Sequence, residues 1–548
     1  VVAVSTASIL VSLAMLGLFS LQVFTGFPRG VLVIDWLLSI LLVGGVRFAV
    51  RLFAENRVAA MIPGRFSRRK RALVVGAGDA GALVVRELQK NVNSEISPIC
   101  FLDDDQTKQK HQIYGVPVVG RINDLGKALE NQRIDEVIIA IPSAPGKVVR
   151  YVAEVCQKKA VPYRTMPGIY ELIGGKVSVN RLREVDITDL LRREQINVHQ
   201  AGIENAIRDK TVLVTGGGGS IGLELCRQIS RWGPKELIIL GHGENSVFEA
   251  MLELKSRYPD VSVRPVIADL RDEIRLANIF KVHHPDIVFH AAAHKHVPLM
   301  EMNVDEAITN NIVGTQNIVN AAASNGVQQL VMISSDKAIR PANVMGATKR
   351  IAEMIVLDAA SRFQKSFSVV RFGNVLGSRG SVVPIFKQQI AKGGPITITH
   401  PDMQRYFMTI PEAVHLVLQA ASIGEGNEKF VLNMGSQIRI LDLANDLIRL
   451  SGLEPGKDIG IVFTGIRPGE KLREDLWDEG HEFQPTKHPD IFRDDSCECL
   501  MGDDLEVVVR KLIEMARRSD VDDILKYLDE VIPGASVSTA APPEIFTY

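Results

Sequence analysis

A chain of 548 residues is longer than one ordinary core organises, so several domains are expected. Sixty-three basic against 64 acidic residues leave a formal net charge of −1, which removes any electrostatic case for a nucleic-acid partner. Five scattered cysteines argue against a disulfide framework, and a reducing setting fits the bulk of the chain.

In chain order, the first feature is an apolar run from Val1 to Phe27 with no charged side chain. It exceeds the roughly 20 apolar residues that cross a hydrocarbon core. After Pro28-Arg29-Gly30, a second run extends from Val31 to Val50, broken only by Asp35 and Arg47 near its ends. The two predict a transmembrane hairpin. Arg51, Arg57 and the Arg65–Arg71 cluster follow the second run, so the positive-inside rule places the remainder in the cytoplasm. The expected location is therefore the inner (plasma) membrane, multi-pass. Because the chain begins with Val, further spans are expected upstream.

Next, Ala72-Leu73-Val74-Val75 reads as a short strand running into Gly76-Ala77-Gly78-Asp79-Ala80-Gly81 and a helix over 82–89. In that setting the glycines permit a tight turn, and the helix N-terminus favours a phosphate. Strands ending at Leu102, around Val116–Val119 and over Glu136–Ile141 complete a β/α alternation. Whether this accessory unit binds a ligand or serves packing is left open by the residues. Tyr170–Asn197 is charged and reads as a connecting loop.

A larger unit begins near Gln200. Apolar runs at Val212–Thr215, Glu236–Leu240, Val263–Ile267, Ile287–Ala292, Leu330–Ser334 and Ser368–Arg371 predict strands separated by helices. The fold class is α/β: two Rossmann-like, doubly wound parallel sheets in series after the hairpin. The expected divisions are 1–60, 61–199, 200–490 and a helical tail over 491–548, with helices at 503–518 and 520–531.

Gly216, Gly219 and Gly222 after the first of these strands have Gly-x-x-Gly-x-x-Gly spacing, with Ser220 and Ile221 opening a helix. Such a turn lets the backbone approach a pyrophosphate. Gly241-His242-Gly243-Glu244 stands where a ribose-binding acid is usual, so NAD and NADP stay open. Asp269-Leu270 suits an adenine edge, with Asp269 as a helix cap the equal alternative. Ala291 and Ala292 end a strand with small side chains that let backbone face the cofactor.

The following His294-Lys295-His296 offers positive charge to an anionic substrate rather than a metal site. Cys497 and Cys499 are a lone Cys-x-Cys, too few for zinc. No metal is expected.

Ser334-Ser335-Asp336-Lys337 supplies a hydroxyl, an acid and an amine at the end of the fifth strand. Met345-x-x-x-Lys349 stands where a short-chain dehydrogenase carries Tyr-x-x-x-Lys. Lys349 suits the nicotinamide ribose, but a thioether cannot take a proton. Ser335, Asp336 and Lys337 are therefore the candidates to move protons, against the alternative of a structural Asp–Lys ion pair.

Thr215–Gly222, Ala292–Glu301, Ser334–Ala338, Arg371–Ser381 and Gly465–Leu472 together resemble the polysaccharide-biosynthesis nucleotide-sugar dehydratases. The likeness is to the large, membrane-anchored branch of UDP-N-acetylglucosamine 4,6-dehydratases, within the extended short-chain dehydrogenases, and spans nearly the whole chain. Met in place of Tyr is itself characteristic of that branch.

The resemblance implies a tightly held NAD, with NADP not excluded. Lys337 would take the C5 proton and Asp336 would protonate the departing C6 hydroxyl. Lys349 or Ser335, acting through water, are open routes for the C4 proton. Lys295, Asn374, Arg379, Arg405, Arg467 and Glu470 would bind substrate, since guanidinium groups match a diphosphate with paired hydrogen bonds. The expected partners are a UDP-sugar, membrane lipid at the N-terminal helices, and further copies of the chain. A UDP-sugar epimerase and a non-catalytic NAD-binding membrane scaffold are the competing readings.

Overall fold

The computed structural model describes residues 69–91, 95–166, 183–190, 200–477, 483–496 and 500–539. Both apolar N-terminal runs and the Cys497/Cys499 pair lie outside them. The multi-pass membrane location is not upheld: among the described residues no helix is long and apolar enough to cross a membrane.

The accessory sheet is built from β1 (Lys70–Val75), β2 (Ile96–Leu102), β3 (Gln112–Ile113), β4 (Val116–Gly120), β5 (Glu136–Ile139), β6 (Tyr163–Thr165) and β7 (Arg183–Glu184). Their spatial order is β3-β4-β2-β1-β5-β6-β7. The five central strands pair in parallel and both edge strands run antiparallel. Ala72–Val75 and Glu136–Ile139 are buried throughout, as strands covered by helices on both faces must be.

The expected loop before residue 197 instead supplies β7 and a short helix, Ile187–Leu190. Arg183 holds that turn through two hydrogen bonds, of 2.7 and 3.0 Å, to the fully buried Asp189. Hydropathy does not register a charge pair of this kind.

The larger sheet contains β8 (Thr211–Thr215), β9 (Glu236–Gly241), β10 (Val263–Ile267), β11 (Ile287–His290), β12 (Gln329–Ile333) and β13 (Ser366–Arg371). Further on come β14 (Lys429–Leu432), β15 (Phe483–Pro485) and β16 (Ile491–Asp494). The spatial order is β10-β9-β8-β11-β12-β13-β14-β16-β15, with the first seven parallel and the last two antiparallel. Strand β16 begins at Ile491, so the sheet runs past the division expected at residue 490.

Strand order reverses between β8 and β11, and the crevice beyond their carboxyl ends is where such sheets bind ligands. Helix α1 (Val344–Phe363) packs beside it. Asn343 caps α1 by accepting the Gly346 N–H at 2.8 Å, and Gln364 in the left-handed region (φ 50°) ends it. The C-terminal helices α2 (Gly502–Arg518) and α3 (Val521–Val531) add Leu505, Leu512 and Leu528 to the core around α1.

Candidate active site

A cavity of about 620 Å³ opens at the carboxyl ends of β8, β11 and β12. Its floor on one side is the glycine turn. Gly216 has φ +65°, and a Cβ there would stand 2.9 Å from the Ala292 backbone. A Cβ on Gly222 would stand 2.1 Å from the Gly216 carbonyl oxygen. The turn and the first turn of the helix therefore touch backbone to backbone, which only glycine permits. Gly216, Gly219, Ser220, Ile221, Gly222 and Ala291 all line the cavity. Ala292 lies directly behind, its N–H donating to Thr215 Oγ1 at 3.3 Å.

Asp269 and Leu270 are not among the cavity-lining residues. The Asp269 carboxylate is clasped by the Arg271 guanidinium at 2.6 Å, which holds its pKa down at about 2. Leu270 is a core residue, and its carbonyl accepts from Asn317.

His290, His294 and His296, close together on the chain, diverge in space. His290 is buried between Thr215 Oγ1 (2.8 Å) and Thr315 Oγ1 (3.0 Å), and burial beside the Lys349 charge pushes its pKa down to about 3. His294 faces Glu306 at 3.3 Å, and His296 sits against Gly380. Among the described residues no three His, Cys, Asp or Glu side chains are grouped to hold a metal.

Ser335, Lys337, Met345 and Lys349 converge on the opposite wall. Asp336 is fully buried just beneath, with Oδ1 accepting from Ser335 Oγ at 2.9 Å and from Lys337 Nζ at 3.0 Å. Gly373 makes room for it, since a Cβ there would stand 3.1 Å from Asp336 Oδ2. Lys337 Nζ also donates to Asn374 Oδ1 at 3.2 Å. Burial works against the Lys337 charge, but the Asp336 and Glu474 carboxylates outweigh it and hold the pKa above the usual lysine value.

Lys349 donates to the Ile333 carbonyl at 2.7 Å, and burial pushes its pKa down to about 8. Helix α1 is tied to the site at its start and at mid-length. Glu301 accepts the Val344 N–H at 2.7 Å, with burial pushing its pKa up to about 7. One turn beyond Lys349, Glu353 accepts from Ser334 Oγ (2.6 Å) and Arg371 Nε (2.7 Å), and Arg371 reaches Asp494 at 3.1 Å.

All six expected substrate residues line the same cavity. Lys295 Nζ donates to the Arg379 carbonyl at 3.0 Å, and Arg405 stands 3.6 Å from Glu470. Arg467 donates its N–H to Glu470 Oε2 at 3.4 Å. Arg379 projects outward and meets exposed Glu249 at 3.6 Å. Sequence reasoning missed Glu301, Glu353 and Glu474. Glu474 stands four residues after Glu470 in the Gly469–Glu474 segment, a short-range spacing that was available as a signal. Glu353 and Arg371 meet only in space.

The cradle fits a dinucleotide on the packing of its glycines alone. Fold and cavity thus define a dinucleotide-fold α/β protein with a buried acid–amine pair on the same cavity as the glycine turn. The family described as polysaccharide biosynthesis protein matches residues 212–496, and a family described as a CoA-binding domain matches residues 1–167. A probable polysaccharide biosynthesis protein, EpsC of Bacillus subtilis, is 46% identical over 85% of this chain and 77% of its own length.

Two relatives match about half the chain. A UDP-N-acetylglucosamine 4,6-dehydratase (inverting) of Campylobacter jejuni is 38% identical over 48% of this chain and 76% of its own. A UDP-glucose 4-epimerase of Rickettsia rickettsii is 36% identical over 49% and 77%. The chain belongs to the polysaccharide biosynthesis protein family.

Proposed function

We propose that this protein is an NAD(P)-dependent dehydratase that converts UDP-N-acetylglucosamine to a UDP-4-keto-6-deoxy sugar for surface-glycan or capsule synthesis. The observation that carries this reading is the Asp336–Lys337 pair, whose amine faces the same cavity as the glycine turn.

Gly216, Gly219, Ser220 and Gly222 would hold the dinucleotide phosphates, and Lys349 the nicotinamide ribose. Once bound, the nicotinamide supplies a hydride acceptor for sugar C4 and a donor for C6. The resulting 4-ketone acidifies the C5 proton, which Lys337 takes in its neutral form. Asp336, in its acid form, protonates the C6 hydroxyl as it leaves. At rest the pair is an ammonium and a carboxylate joined at 3.0 Å, and one proton shift along that bond produces both reactive forms. Lys295, Arg405 and Arg467 would meet the diphosphate.

The Rickettsia relative lends weight to a second reading, a UDP-sugar epimerase. An extra acid favours dehydration, because inversion at C4 expels no hydroxyl. Incubation with UDP-N-acetylglucosamine and mass spectrometry separates the two. Loss of one water is expected; unchanged mass with inverted stereochemistry supports the epimerase. No product with NAD present supports a non-catalytic role.

A further inference from the structure

The cavity wall holds a third carboxyl that the dehydration, as written, leaves without a task. Glu474 lines the cavity, with Oε1 3.8 Å from Lys337 Nζ and 3.9 Å from Arg405 Nη2. Its Oε2 is buried and has no hydrogen-bond partner among the described residues. Lys337, Asp336, Arg405 and Lys471 are the charged groups facing it, and Glu470 also reaches Arg405. Burial pushes the Glu474 pKa up, and the nearby cations do not cancel that push. A buried acid of this kind accepts a proton more readily than an exposed glutamate.

Counting protons shows why one is needed. Elimination requires Asp336 protonated and Lys337 neutral at the same moment. The resting ion pair already holds one proton, and the C4 hydroxyl releases a second into the site. Asp336 can carry one of the two; the other has no place on the pair.

We propose that Glu474 stores this second proton, accepting it from Lys337 before C5 is deprotonated and returning it after the C6 oxygen has left. In the outward step an N–H bond of Lys337 breaks and an O–H bond forms on Glu474. An ammonium and a carboxylate become an amine and a carboxylic acid, and no electrons are transferred. The flexible lysine stem closes the 3.8 Å gap. After its own proton has shifted to Asp336, Lys337 takes the C4 proton and hands it to Glu474. It then takes the C5 proton, gives it back to C5, and recovers the stored proton from Glu474, while the Asp336 proton departs in water. Glu474 acts through Lys337 and is a positioning residue for its proton. The inference rests on the dehydratase reading.

The test uses the full chain with bound NAD, UDP-N-acetylglucosamine, and the variants Glu474→Gln and Glu474→Asp. For Glu474→Gln, kcat should fall about 100-fold with KM within about threefold, as for loss of a proton-transfer group. The inflection assigned to this carboxyl should vanish from the pH profile of kcat, and deuterium exchange at C5 should slow in parallel. Glu474→Asp should restore both inflection and exchange. Wild-type kcat and pH profile in Glu474→Gln, or wild-type C5 exchange despite lost turnover, would overturn the proposal.

If the wild type makes no product, the dehydratase reading fails, and infrared titration judges the carboxyl separately. A protonated-carboxyl band titrating above the ordinary glutamate range and missing from Glu474→Gln supports proton storage; no such difference overturns it.

Discussion

Burial sets the chemistry of individual side chains here. Lys337 and Lys349 lie about twelve residues apart on the chain and share one cavity, yet their pKa values move in opposite directions. Two carboxylates hold Lys337 charged, whereas Lys349 faces a carbonyl, and burial lowers it to about 8. If Asp336 and Lys337 divide the acid and base work, Asp336→Asn and Lys337→Ala each reduce turnover by about 1,000-fold, within the usual span for such groups. Bound NAD, followed by fluorescence, should persist in both. Retained turnover in either variant removes the assignment.

Glu301 yields a pH prediction. Its folded pKa of about 7 exceeds the unfolded value near 4.5, so the folded form binds the proton more tightly. Stability from this group is fully present below pH 4.5 and is lost as pH rises through about 7. Glu301→Gln keeps an acceptor for Val344 and should gain about 1–2 kcal/mol over the wild type above that range, allowing for screening at a half-buried site. Denaturant titrations at two pH values check it.

Among the elements, the β8 turn depends on the absence of a single atom. A methyl at position 222 would meet the backbone of Gly216 and Gly217 at 2.1 to 2.9 Å, and backbone cannot step aside as a flexible side chain does. Gly222→Ala should cost about 1–3 kcal/mol, the usual range for overpacking. It should also weaken NAD binding at least about tenfold, which is about 1.4 kcal/mol. Thermal melts and cofactor titration read the two effects, and unchanged affinity would separate this turn from the cofactor. Helix α1 is held differently, by Asn343 and Glu301 at its start and by Glu353 to the buried Arg371 further along. That brace keeps Met345 and Lys349 aimed at the end of β12.

On the scale of the whole molecule, the accessory unit and the substrate side of the larger unit share one apolar core. Val149, Val152 and Ile187 from the first join Phe386, Leu443 and Leu447 from the second. Arg150 meets Asp446 at 2.7 Å across the same seam, although burial outweighs the arginine and raises the Asp446 pKa. Apolar packing therefore does more to hold the seam than this ion pair. Helix Ile187–Leu190 touches helices Gly146–Lys158 and Ile440–Leu450. Ile187→Asp should destabilise by about 3 kcal/mol or more, as expected for an unpaired buried charge. Faster hydrogen exchange is expected in both flanking helices, with the β8 turn unaffected; exchange confined to one side would show that the seam is not shared.

Two sheets, their parallel strands and the glycine turn were legible in the sequence, because an apolar strand followed by spaced glycines is a local pattern. The Ser335-Asp336-Lys337 triplet and Met345-x-x-x-Lys349 were legible for the same reason, as neighbours on the chain. Asp269 beside an adenine was a local reading too, and the Arg271 guanidinium clasps that carboxylate. The strand at Ile491–Asp494 looked like tail, since the strand that joins it to the larger sheet, Lys429–Leu432, lies far back in the chain. Only the tertiary structure decided that Glu474 faces Lys337, that Glu353 meets Arg371, and that two units share a core. Burial and charge act through space, and the distances that set them do not exist until the chain has folded.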